Sequence, residues 1–171
     1  ISPLHVEGRY IKDRFNKTVV LRGVWKAEFA DVCNGWWSSD FTHWDEAAVR
    51  AQLRALKEDW GINVINTFIW AEWWIDDAST SLNRYTTDTS YRWSIKETLR
   101  LAAEYGIYFQ IRLYGVSPSH GRKNMPFPPY DNSGIFNSTD DFANFWADLA
   151  DELKDYPNVI FTLYDEPAGN Q

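Results

Sequence analysis

Residues 138–167 read STDDFANFWADLADELKDYPNVIFTLYDEP, and this stretch holds one complete unit of the fold. Phe142, Phe145, Trp146, Leu149 and Leu153 recur at helical spacing, which predicts an amphipathic helix. Ser138 with Asp141 three residues on is a capping-box pattern at its start, and Pro157 ends it. Val159–Leu163 follows as a short apolar run, the pattern of a buried strand.

On the N-terminal side a helix followed by a strand occurs twice more. Thr42 with Asp45 forms a second capping-box pattern, ahead of a helix with Val49, Leu53 and Leu56 on one face and a strand over Ile62–Ile69. A further helix spans roughly Tyr91 to Glu104, carries Ile95, Leu99 and Ala102 on one face, stops at Gly106 and leads to a strand over Ile107–Leu113. Upstream, Leu4 to Val20 reads as short strands broken by Gly8 and by the polar Asp13–Lys17 stretch. Val19-Val20-Leu21 then leads to Gly23-Val24 as a buried strand. Alternation of strand and helix implies parallel strands joined by crossovers. Connections after helices are short, as in Glu58-Asp59-Trp60-Gly61. Those after strands are long: Trp25–Phe41, Trp70–Ser90 and Tyr114–Asn137. Long strand-to-helix loops put function at the C-terminal ends of the strands.

Two architectures fit this order, an open doubly wound sheet or part of an eight-fold barrel. The turn Arg22-Gly23-Val24-Trp25-Lys26 lacks the further glycines of a dinucleotide site, and no phosphate-loop pattern occurs. A complete (β/α)8 TIM barrel takes roughly 200 residues or more. The expectation is therefore a half barrel: residues 1–171 as the N-terminal portion of a single domain, supplying about the first four strands.

Composition narrows the function. The 171 residues carry a formal net charge of −7, which argues against a nucleic-acid surface. No apolar run is long enough to span a membrane. Cys33 is the single cysteine, most simply a buried thiol, and His5, His43 and His120 show no metal-ligand spacing. The aromatic content is high: ten tryptophans, nine tyrosines and ten phenylalanines. Asn16-Lys17-Thr18 and Asn137-Ser138-Thr139 are glycosylation sequons, although Asn137 also has a structural explanation as the residue before a helix cap.

The sharpest chemical feature is the carboxylate pair Asp165-Glu166 at the end of the fourth strand of the alternation. Side chains alternate along a strand, so the two acids should point to different sides. Taken alone, such a pair is also what a solvated turn looks like. The run DYPNVIFTLYDEP (155–167), however, resembles the fourth-strand signature of glycoside hydrolase family 5, the cellulase family, which ends in Asn-Glu-Pro. HVEGRYIKDRFNKTVVLRGV (5–24) resembles the family's N-terminal hairpin and first strand. DWGINVINTFIW (59–70) and EYGIYFQIRLYG (104–115) resemble its second and third strands.

The resemblance implies a retaining glycosidase acting on β-1,4-linked glucan or a related hemicellulose, without metal or cofactor. Glu166 matches the family's general acid/base. Its nucleophilic partner would lie about 5–5.5 Å away. In the family that nucleophile ends the seventh strand, which puts it in a C-terminal half absent from this sequence. Three positions depart from the family: Asp165 replaces Asn, Asn66 replaces Arg and Tyr114 replaces His. Arg112 shares strand parity with Tyr114 and is expected to supply the positive charge that Asn66 does not, or else to pair structurally with an acid inside the barrel.

Trp25, Trp36, Trp37, Trp70, Trp73 and Trp74 all follow the first two parallel strands, where flat aromatics suit the apolar face of a sugar ring. Trp93 and Trp146, on helices, are expected in the core. The candidate substrate-binding set is Asp165, Trp25, Trp70, Arg112 and Tyr114. Alternatives stay open: a non-catalytic carbohydrate-binding barrel or degenerate fragment, or a mannanase or other barrel glycosidase of the same clan. A polymeric substrate implies a secreted protein.

Overall fold

The computed structural model describes residues 1–26, 45–69, 71–75, 91–113 and 135–164. An antiparallel hairpin comes first, β1 (Leu4–Glu7) against β2 (Tyr10–Asp13), turning at Gly8 with φ +60°. Four strands then form one parallel sheet in chain order: β3 (Gly23–Trp25), β4 (Val64–Ile69), β5 (Tyr108–Leu113) and β6 (Val159–Thr162). Between them lie α1 (Glu46–Glu58), a short α2 (Ala71–Ile75), α3 (Tyr91–Glu104) and α4 (Thr139–Leu153).

Each helix reflects its sequence. The cap of α1 is Asp45, whose side chain accepts from the amides of Ala47 and Ala48; Thr42, the expected cap, lies outside the described residues. A carboxylate at this position satisfies two of the helix's free N–H groups and suits the positive end of its dipole. Tyr91, Ile95, Leu99 and Ala102 bury one face of α3, where Ser94 and Thr98 donate their hydroxyls to the helix carbonyls of Tyr91 and Ser94. Gly106 closes α3 at φ +67°, and the Ile107 amide returns to the Ala102 carbonyl at 2.9 Å. Ser138 caps α4 by accepting from the Asp141 amide at 3.1 Å, and Asp141 reaches back to the Asn137 amide at 2.8 Å.

Strand register separates two faces. Ile65, Thr67 and Ile69 pair with Phe109, Ile111 and Leu113, all buried, and Phe161 of β6 stands opposite Ile111 and edge-on to Trp146 of α4. This is the face the helices cover. The other face, called inner below, carries Gly23 and Trp25, Val64, Asn66 and Phe68, then Tyr108, Gln110 and Arg112, and Ile160 with Thr162.

Three expectations are corrected. Val19-Val20-Leu21 does not enter the buried strand: the Val19 amide donates to the Ile11 carbonyl at 2.8 Å, so this run extends the hairpin, and Val20 is exposed. Trp93 is 39% exposed rather than core, because it stands about 200° round the helix from both Tyr91 and Ile95. The connection after β4 is not loop throughout, since α2 opens one residue beyond the strand. Cys33 lies outside the described residues. No described helix is long and apolar enough to cross a membrane.

Candidate active site

The inner face is closed at the N-terminal ends of its strands. Tyr108 is buried there and donates its hydroxyl to the Ser2 carbonyl at 2.6 Å, while the Ser2 hydroxyl accepts from the Arg14 amide at 3.0 Å. Burial pushes the Tyr108 phenol above its ordinary pKa. Asn63, just before β4, accepts from the Arg22 amide at 2.7 Å and donates to the Val20 carbonyl at 2.9 Å, tying the chain that enters β3 to the base of β4. The N-terminal segment thus occupies the base, and the functional groups stack toward the C-terminal ends.

Above the base the inner face comes in two layers. The lower aligns Trp25, Asn66, Gln110 and Ile160; the upper aligns Phe68, Arg112 and Thr162. The indole of Trp25 is 52% exposed and lies 6.1 Å from the ring of Phe68 at 42°. The guanidinium carbon of Arg112 stands 5.9 Å from the Trp25 ring centroid, within cation–π range. Trp25 and Arg112 are two strands apart in the sheet and meet across the strand that carries Phe68. Gln110 donates to the Thr162 hydroxyl at 2.9 Å, a diagonal pair across β5 and β6. The side-chain oxygen of Asn66 is buried and accepts no hydrogen bond among the described residues. The arrangement offers a flat aromatic surface, one fixed cation and amide and hydroxyl groups, a set suited to a polar ligand with an apolar ring face.

Of the expected site residues, Trp25 and Arg112 lie on this face, as parity along their strands requires, and they meet there. Asp165, Glu166, Trp70 and Tyr114 lie outside the described residues, as do Trp36, Trp37 and the Trp73 side chain. Trp74 is a correction: it is fully buried, and its indole N–H donates to Asp148 Oδ2 at 2.7 Å. A five-residue helix has too few residues to show periodicity, so its buried face was not legible. Phe68, Gln110 and Thr162 were missed, although counting by twos along each strand from Arg112 and its register partners reaches all three.

Comparison with known proteins bears on this geometry. The family model described as Cellulase (glycosyl hydrolase family 5) matches residues 27–171. Endoglucanase A of Evansella cellulosilytica is 25% identical over 134 residues, 78% of this chain and 22% of that protein. Endoglucanase N of Pectobacterium atrosepticum is 24% identical over 166 residues, 97% of this chain and 30% of that one. Among solved structures, the Pyrococcus horikoshii endocellulase in complex with cellotetraose superposes with TM-score 0.64 at 20% identity, over 97% of this chain and 44% of that one. The β-1,4-D-mannanase of Cryptopygus antarcticus gives TM-score 0.57 at 18% identity, over 99% and 45%. The chain therefore spans less than half the length of each of these proteins. The fold is part of a (β/α)8 barrel, with its parallel strands in chain order and its helices on one face.

Proposed function

The chain belongs to the cellulase family, glycosyl hydrolase family 5, and from that premise we propose that it carries the acid/base side of an active site that hydrolyses β-1,4-linked glucan with retention. The observation that carries the reading is the layered inner face, with Trp25 and Arg112 meeting over Phe68 at the C-terminal ends of the strands. In this reading Glu166, which matches the family's acid/base position, faces the inner side.

The chemistry follows from that assignment. Glu166 protonates the leaving glycosidic oxygen, then as carboxylate takes a proton from the water that releases the sugar. It must be protonated at the start to serve as the acid. The nucleophile comes from a strand of the barrel beyond those described, about 5–5.5 Å from Glu166. Trp25 and Trp70 stack sugar rings; Asp165 and Tyr114 contact hydroxyls. Arg112 supplies the positive charge that Asn66, two residues below the Phe68 layer, does not. Hydrolysis of such a polymer takes place outside the cell.

A second reading, mannan in place of glucan, is favoured by the likeness in fold to the mannanase. Incubation of the full-length protein with β-1,4-glucan, mannan and xylan, with products followed by NMR, tests both. Glucan oligosaccharides released first as the β anomer are expected. Preferential release from mannan selects the second reading, and release from none of the polymers overturns both.

A further inference from the structure

The short helix α2 is far below the roughly 12–15 residues at which an isolated helix holds itself, so its place is set by what it touches. Trp74 is fully buried, and its indole N–H and the Arg92 Nη2 reach the same oxygen, Asp148 Oδ2, at 2.7 and 2.9 Å. Arg92 Nε donates to the Trp74 carbonyl at 2.8 Å, and the guanidinium carbon lies 4.7 Å from the Trp74 ring centroid. Glu152 stands 3.6 Å from Arg92 Nη1 and takes Lys96 Nζ at 2.8 Å on its other oxygen. One carboxylate oxygen on α4 thus takes donors from both α2 and α3, while Arg92 grips the backbone and the ring of the same α2 residue.

Burying an indole requires a single acceptor for its N–H. The additional grip on the Trp74 carbonyl fixes where α2 sits along the helices, and α2 begins one residue after β4. Ile69 and Ala71 are both fully buried, and Trp70 lies between them in sequence. We infer that Asp148 and Arg92 are positioning residues: through Trp74 they set α2, which follows the C-terminal end of β4, for contact with a sugar chain. The inference rests on the proposed function, because it gives that segment a glycan to meet.

The test uses the full-length protein in a Glu166→Gln background, with a β-1,4-linked tetrasaccharide titrated by calorimetry. Asp148→Asn keeps an acceptor for the indole but removes the charge facing Arg92. Trp74→Phe keeps the ring but removes the donor. Each is expected to weaken binding by about fivefold or more, the scale of one misplaced aromatic contact. Asp148→Glu is expected to recover part of the loss. Lys96→Ala breaks the neighbouring pair with Glu152 without touching α2, and is expected to leave affinity unchanged. Melting curves accompany each variant, and if one fails to fold the other is read. Affinity unmoved in the folded variants, whatever their melting temperatures, makes the cluster purely structural and overturns the inference. A wild-type protein that hydrolyses no β-glycan, but whose variants still bind the tetrasaccharide more weakly, overturns the proposed function and keeps the positioning role.

Discussion

Replacing Gly23 with alanine drives a methyl group into the neighbouring strand. Gly23 opens β3 on the inner face, opposite Val64 of β4. A Cβ at this position would overlap the Val64 carbonyl oxygen and stand 2.5 Å from Val64 Cγ1. A side-chain methyl can turn aside, but a backbone oxygen within a ladder cannot, so β3 must withdraw. Overpacking of this kind costs about 3 kcal/mol, the upper end for an inserted methyl. At about 2–4 °C per kcal/mol for a chain of this size, the melting temperature falls by roughly 6–12 °C. Gly8→Ala is the comparison: its φ of +60° disfavours alanine, but nothing lies within 4 Å of the added carbon. Its cost is about 1 kcal/mol of backbone strain. Adding Val64→Ala to Gly23→Ala removes the overlap with Cγ1 but not with the oxygen, so only part of the loss returns. Thermal unfolding followed by far-ultraviolet circular dichroism reads all four proteins. Because Trp25 lies two residues beyond Gly23 on the same face, tetrasaccharide affinity should fall as well. A Gly23→Ala protein that melts no lower than Gly8→Ala would refute the close approach of β3 to β4.

Three further predictions concern the packing and the site. Asn158 is fully buried and donates to the Leu99 and Ile107 carbonyls at 2.9 and 3.2 Å, so Asn158→Leu costs about 2 kcal/mol and roughly 4–8 °C in a thermal melt. Arg50 and Arg100 hold the Glu104 carboxyl below its ordinary pKa, Arg50 chiefly. The stability from this α1–α3 link is therefore present above the ordinary carboxylate range and lost as pH falls through the lowered value. Melting curves of wild type and Glu104→Gln should differ near neutral pH, converge in acid, and differ less in added salt. Trp25→Ala, at a half-exposed position, should weaken tetrasaccharide binding about tenfold with little change in melting temperature, read by calorimetry on the folded protein.

The fold was legible where local chemistry and long-range packing agree. The limits of α3, its stop at Gly106 and the Ser138 cap of α4 all follow from signals within a few residues of each other. The strands β4 and β5 were legible because apolar residues recur along the face that meets the helices, with Asn66, Gln110 and Arg112 on the other. Tryptophans were the weak point. An indole serves core and surface equally well, so neighbours decide: Trp74 is buried because Asp148, 74 residues away in sequence, accepts its N–H, and no local pattern announces that partner. Trp93 was misread as core, although its angular offset from the buried face of α3 points it outward. The cap of α1 was ambiguous because Thr42 and Asp45 both suit the role; the helix begins at the later one. In the site, parity along β5 brought Arg112 to the inner face, whereas its meeting with Trp25 depends on a strand between them and was not legible.

Glu166→Gln in the full-length protein, assayed on β-1,4-glucan beside tetrasaccharide binding, tests the acid/base assignment. Removing a general acid costs typically 10²–10⁴-fold in rate, so turnover should fall by about that factor while binding stays near wild type. Turnover within about twofold of wild type would contradict the assignment of Glu166, because an amide cannot donate or accept the proton that the mechanism moves.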